Sequence, residues 1–284
     1  MANIYIISQY PTFIKPIAKE LQDEGHTVVI TKEFYPFCAK DADIIYCDWM
    51  DQNALKIQEL KSGKRKTVLK CHSYEAFTGI QKHINFRRWD GIIFVNEYIK
   101  SVVYPHPLKQ AHIIPNGIKV DDLQYTEAEN KNIGFLGYWS RKKGIELIDF
   151  LAKSFPDYNF HLGGKFQEPD VQDYIKKKKS SNLYLHGWIS NKSKFFSEMK
   201  YVINASIRES QCVGLMEGMV TGCKPLIKDW IGADKMYKSE WLYDDLASFK
   251  KLLEGEYEPQ EYRKFIKANY DFDKWYKEFK EVLL

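Results

Sequence analysis

Short, β-branched apolar runs separated by amphipathic stretches recur along the whole sequence, and this alternation limits the chain to few architectures. Residues 4–8, 27–31, 44–47, 67–71 and 92–95 are brief apolar runs bounded by polar residues, the pattern of strands buried on both faces. Between the first two, residues 12–24 place Phe13, Ile17 and Leu21 on one helical face, and Gly25 ends that helix. Residues 51–61 read as another helix. Strand–helix alternation of this kind builds a parallel sheet wrapped by helices.

The pattern breaks once. Residues 104–107 hold two prolines, Ile114-Pro115-Asn116-Gly117 is a turn sequence, and residues 121–130 are polar and acidic without a core pattern. The alternation then restarts: strands at 133–138, 159–162, 183–186, 201–204 and 225–227, with helices at 144–154, 169–179, 194–199 and 214–221 between them. Residues 245–253, 259–269 and 272–284 close the chain as helices. The expected fold class is α/β with two Rossmann-like domains, residues 1–118 and 119–270, followed by a terminal helix at 271–284. A length of 284 residues suits two modest domains.

Composition narrows the function. With 44% hydrophobic and 28% charged residues the chain is ordinary globular material. A net charge of +4, of which the first 118 residues carry +3, is too small to mark a nucleic-acid protein. No apolar run approaches the ~20 residues that span a bilayer, and the N-terminus enters a strand pattern without a leader, so no signal peptide is expected. The five cysteines include no CxxC pair, which argues against a disulfide framework or zinc site and fits a cytoplasmic location. The Lys176–Lys179 run lies in the last turn of an expected helix, where cations suit the dipole.

Residues 204–228 carry the most chemistry. A strand ends near Asn204, a loop holds Glu209, and a helix opens near Gly214 with Glu217 one turn in. In a Rossmann-like sheet, ligands bind beyond the carboxyl ends of the strands. The unpaired N–H groups of a helix start attract phosphate, and Gly214 lets it approach closely. Glu217 could accept two hydrogen bonds from vicinal hydroxyls such as those of a ribose, and Glu209 could reach a second polyhydroxylated group. Two glutamates near helix starts are also ordinary surface residues; their company decides between the readings.

That company resembles the E-x7-E signature of family-4 retaining glycosyltransferases of the GT-B fold: Glu209 and Glu217, then Gly222-Cys223-Lys224-Pro225-Leu226-Ile227. In the family's order, Ile114–Ile118 resembles its interdomain turn and Gly137–Gly144 its GRLxxxKG segment. Asn182–Gly187 resembles its NVxFLG strand, and Ala205-Ser206 its PS pair. His72, after the 67–71 strand, resembles its first-domain histidine. The match covers most of residues 110–230 and is weak over 1–110.

The resemblance implies two Rossmann-like domains facing across a cleft, with the terminal helix at 271–284 packing back on the first. It also implies transfer of a sugar, with inversion avoided, from a nucleotide-diphosphate donor to a hydroxyl acceptor without a metal or other cofactor. A UDP-sugar is the favoured donor. Lys143 would neutralise the diphosphate, the Gly214 and Leu215 amides would contact phosphate, Glu217 would hold the ribose, and Glu209 would contact the transferred sugar. His72 would position that sugar. Tyr138 occupies the family's arginine position, so Arg141 is the substitute second cation. Ser8-Gln9-Tyr10-Pro11 replaces the usual glycine-rich loop, so contacts there do not carry over.

The leading acceptor is a glycan or glycolipid of surface polysaccharide synthesis, a role that allows peripheral membrane contact. The alternatives are a phage-type DNA glycosyltransferase acting on a hydroxylated base, and a non-catalytic nucleotide-sugar-binding protein. The cluster Lys61, Lys64, Arg65, Lys66, with Lys82, Arg87 and Arg88, would serve DNA only if it faced the cleft mouth. Asp41-Ala42-Asp43 is a DxD string, but it precedes a strand and reads as a helix-to-strand turn. Leu162-Gly163-Gly164-Lys165 lacks the spacing of a Walker loop. Trp89, Trp139 and Trp188 are the tryptophans near candidate loops, able to stack on sugars or bases.

Overall fold

A computed structural model describes the chain except Lys61, Ser62 and Lys64, and gives the backbone alone at residues 11–13. The expectations on Lys61, Lys64 and the Phe13 side chain lie outside the described residues. The chain divides into two compact units, Met1–Asn116 with Asp273–Leu284, and Gly117–Phe272.

The first unit alternates β1 (Asn3–Ile7), α1 (Pro11–Asp23), β2 (Thr27–Thr31), α2 (Pro36–Lys40), β3 (Ile44–Cys47), α3 (Gln52–Gln58), β4 (Lys66–Cys71), β5 (Gly91–Phe94), α4 (Glu97–Val103) and β6 (Ala111–Ile113). All six strands are parallel, in the order β2-β1-β3-β4-β5-β6. Ile4, Ile6, Ile45, Val68, Leu69, Ile92 and Ile93 are shielded from water, which is why these runs are continuous in apolar residues rather than alternating. Strand β6 falls where the sequence suggested only a break, and helix α4, just before that break, was not read from sequence. Asn96 starts α4 by accepting a hydrogen bond from the Ile99 amide at 2.8 Å.

The second unit runs β7 (Asn132–Trp139), α5 (Ile145–Ser154), β8 (Asn159–Phe166), α6 (Pro169–Lys178), β9 (Leu183–Gly187), α7 (Lys192–Ser197), β10 (Tyr201–Asn204), α8 (Val213–Thr221), β11 (Lys224–Lys228), β12 (Leu242–Tyr243), α9 (Leu246–Glu254) and α10 (Pro259–Tyr270). Its parallel sheet has the order β12-β11-β10-β7-β8-β9. Apolar clusters cover both faces, one around Met216, Met219 and Phe196, the other around Ile148, Phe160 and Leu226. Strand β8 extends four residues beyond its expected end, through Gly163-Gly164. A Cβ on Gly163 would lie 2.5 Å from Ile189 and 2.9 Å from Leu136, so glycine here is close packing rather than a loop signal.

The last helix, α11 (Phe272–Leu283), belongs from Asp273 onward to the first unit. Phe279 meets the Tyr46 ring edge-on at 5.1 Å, and Val282 occupies the space a Cβ on Gly91 would need. Lys70, buried in β4, bonds Asn116 Oδ1 at 2.6 Å and lies 5.5 Å from the Trp275 ring.

Candidate functional site

In each unit the order of strands reverses at one place, leaving a crevice beyond the carboxyl ends of two neighbours whose connections run to opposite faces. In the second unit that place lies between β7 and β10. The turn after β7 ends at Gly144, at φ 71°, where a Cβ would sit 2.0 Å from the Ala205 carbonyl oxygen. Only glycine lets the turn seat against the end of β10. The Ile207 amide then donates to the Lys142 carbonyl at 3.0 Å, tying the two loops together.

This seating brings Lys143 and Glu209 into an ion pair across the crevice, although 66 residues separate them. The Glu209 side chain is 4% exposed. Ser206 Oγ donates to Glu209 Oε1 at 2.8 Å, and Asn204 Oδ1 accepts from the Ser206 amide at 3.2 Å. Burial works against the Lys143 ammonium, but Glu209 more than offsets it and raises the lysine above its ordinary value. A half-buried cation and a buried carboxylate are thus fixed side by side.

Helix α8 opens beside them. Its N-cap, Cys212, makes no side-chain capping bond. A Cβ on Gly214 would lie 2.3 Å from the Leu136 carbonyl oxygen, so the helix start rests on the backbone of β7. The Leu215 side chain is in the core, which leaves its backbone as the group able to meet a ligand. Glu217, with its side chain 13% exposed, pairs with Lys192 at the start of α7. Burial raises the Glu217 carboxyl above its ordinary value, with Lys192 opposing the shift. Arg141 is placed differently: its guanidinium is 55% exposed and engages Glu146 at 3.2 Å and Asp170 at 2.8 Å.

In the first unit the reversal lies between β1 and β3. Ser8 Oγ donates to Asp48 Oδ2 across it at 2.8 Å, and Tyr46 OH donates to Oδ1 at 2.9 Å. His72, one strand over, places Nε2 2.9 Å from the Asp48 carbonyl oxygen and 3.7 Å from its Oδ1. Trp49 stacks on the His72 ring at 4.2 Å. Burial alone would raise the Asp48 carboxyl, but His72, Lys70 and Ser8 hold it below the usual aspartate value. Glu75, also buried, is pushed up by desolvation.

Lys192 and Asp48 were not singled out from sequence, and Ser206 was noted only as half of the Ala205-Ser206 pair, without its bond to Glu209. Asp48 had a signal, being the first polar residue after a buried strand, as His72 is; Lys192 had none. The described members of the basic cluster lie elsewhere. Lys66 opens β4 with Arg65 just before it, and Arg87 and Arg88 precede β5, so these four sit at the amino-terminal edge of the first sheet, opposite His72, while Lys82 lies in the segment between the two strands. Arg88 donates to the Gln58 carbonyl at 2.6 Å and approaches Glu59 at 3.6 Å. The DxD string is a helix-to-strand turn between α2 and β3, where Asp43 Oδ2 accepts from the Asn3 amide at 2.8 Å. Among the described residues no three His, Cys, Asp or Glu side chains are grouped to hold a metal, and no helix is long and apolar enough to cross a membrane.

Two parallel six-stranded sheets, each with its own helices, define the GT-B fold of glycosyltransferases. Solved structures that share it include HepE of Anabaena, crystallised with UDP-glucose, at TM-score 0.75 and 16% identity over 100% of this chain and 99% of that one. The sucrose-phosphate synthase of Thermosynechococcus elongatus matches at TM-score 0.80 and 12% identity over 99% and 98%. TarM of S. aureus, in complex with UDP and alpha-GlcNAc-glycerol, matches at TM-score 0.71 and 18% identity over 84% of this chain. The chain spans about half the length of the TarM chains, 55% and 54%. No protein-family model and no curated protein sequence matches the chain.

Proposed function

We propose that the protein transfers a sugar from a nucleotide-diphosphate sugar to a hydroxyl acceptor, with retention of anomeric configuration and without a metal. The Lys143–Glu209 pair at the β7/β10 reversal, beside the start of α8, is the observation that carries this reading. Lys143 and the Gly214 and Leu215 amides meet the diphosphate, a fixed positive field in place before the donor arrives. Glu217 takes the ribose hydroxyls, and Glu209 orients the transferred sugar. Arg141, already neutralised by two carboxylates, gives the weakest support for a donor contact. His72, held by Asp48, is the positioning histidine of the first unit. UDP-containing neighbours favour a UDP-sugar.

In the proposed reaction the bond from the anomeric carbon to the β-phosphate oxygen breaks, and a bond to the acceptor oxygen forms on the same face. The departing phosphate oxygen takes the acceptor proton. A glycan or glycolipid acceptor is favoured; one neighbour is described as a lipopolysaccharide outer core galactosyltransferase. Of the basic residues that would have favoured DNA, Arg65, Lys66, Arg87 and Arg88 lie at the amino-terminal edge of their sheet and supply no such support.

A panel of nucleotide sugars, screened for binding by calorimetry and for slow donor hydrolysis, tests the reading, and absence of both for every donor would overturn it. Binding without hydrolysis or transfer would instead favour the non-catalytic alternative. With the donor known, activity should survive EDTA and NMR should show a retained anomer. Loss of activity restored by Mg²⁺, or an inverted product, would refute the corresponding half of the mechanism.

A further inference from the structure

Three tryptophans lie near the loops discussed, and the fold separates them. Trp89 and Trp139 are core residues, 2% and 4% exposed, whereas Trp188 is 64% exposed. Trp188 immediately follows β9, so it stands at the carboxyl edge of the second sheet, where the Lys143–Glu209 pair also lies. Its neighbour Ile189 packs over Gly163 of β8, and a Cβ there would strike both Ile189 and Leu136. The Leu136 carbonyl is the atom on which Gly214 rests. The loop after β9 and the first turn of α8 are therefore seated on one ledge of β7 and β8. Four residues beyond Trp188, Lys192 closes the other side by pairing with Glu217.

From these placements we infer that Trp188 is the platform on which the donor's nucleobase stacks, an inference that rests on the nucleotide-sugar reading of the site. A diphosphate at the start of α8 and a ribose at Glu217 leave the base as the next group along. The loop joined to Glu217 through Lys192 presents one exposed aromatic face, that of Trp188. Lys165 Nζ lies 5.4 Å from the centre of the indole and orients it from β8. Stacking on an indole accepts any base, because every base has a π-face. Trp188 thus supplies affinity for the nucleoside, and discrimination among bases falls to other groups.

Calorimetry on the full chain with UDP, ADP, GDP and inorganic pyrophosphate tests this. For each diphosphate that the wild type binds, Trp188→Ala should weaken affinity about tenfold or more, and Trp188→Phe should keep it within about threefold of wild type. Pyrophosphate, which lacks a base, should bind the wild type and Trp188→Ala equally. The side chain is mostly in solvent, so both variants should fold; an unchanged melting temperature checks this. Unaltered nucleotide affinity in Trp188→Ala, or an equal loss for pyrophosphate, would overturn the assignment while leaving the donor site standing. A wild type that binds none of the three nucleotides would remove the nucleotide-sugar reading, and this inference with it.

Discussion

Glu217 shows how one side chain's surroundings set its working range. Burial raises its carboxyl above the ordinary glutamate value of 4.5, and Lys192 limits the rise. The folded protein therefore favours the protonated form, and ionising the group costs stability as pH rises through that raised value. Accepting ribose hydroxyls needs the ionised form, so nucleotide affinity should fall on acidification at a pH above 4.5. Lys192→Met should move that fall to higher pH, and Glu217→Gln should abolish it; calorimetry across a pH series would measure both. Glu217→Ala should cost roughly 1.5–3 kcal/mol of nucleotide binding, the value of hydrogen bonds to a charged acceptor. Glu209→Gln removes the counter-charge of Lys143 while keeping shape, and should lower turnover by about a hundredfold or more with little change in nucleotide affinity. Wild-type turnover in that variant would take Glu209 out of the reaction.

Helix α8 and the turn before α5 are elements whose positions depend on missing side chains. At Gly144 both the positive φ and the 2.0 Å approach to Ala205 forbid a Cβ, whereas at Gly214 the 2.3 Å approach alone does so. Gly144→Ala should therefore be the more damaging, destabilising by more than about 2 kcal/mol, with Gly214→Ala second. Both should weaken nucleotide binding, because each shifts a loop that builds the crevice; chemical denaturation and calorimetry on the two variants would rank them. Sequence reading foresaw the glycine at the helix start, since a helix N-terminus with a following Glu is a local pattern. It ended β8 at residue 162, before Gly163-Gly164. Gly163 fits the strand because Ile189 and Leu136 fill the space of its Cβ, and Gly164 because the Gly137 carbonyl does so, neighbours that no local window contains.

At the scale of the whole molecule, the chain ends inside the unit where it began. Phe279 is fully buried against Tyr46, and Leu283 is likewise out of water. Phe279→Ala should cost about 3–5 kcal/mol by opening a cavity under the first sheet. Hydrogen exchange should then speed up in β3, β4 and β5 and leave β7, β8 and β10 protected; equal loss in both units would show that they unfold together. The sequence by itself determined the alternation of buried strands and helices and the restart after the 104–130 break, and a resemblance to a family motif singled out Lys143, Glu209 and Glu217 as candidates. The first two follow from local periodicity, which a short window of chain contains. Tertiary structure alone decided that Lys192 holds Glu217, that Arg141 is taken up by Glu146 and Asp170, that Arg65, Lys66, Arg87 and Arg88 lie at the amino-terminal edge of their sheet, and that Trp188 is exposed while Trp139 is core. Each depends on which strands lie side by side and in what register, and strand order is set by packing between residues far apart in the chain.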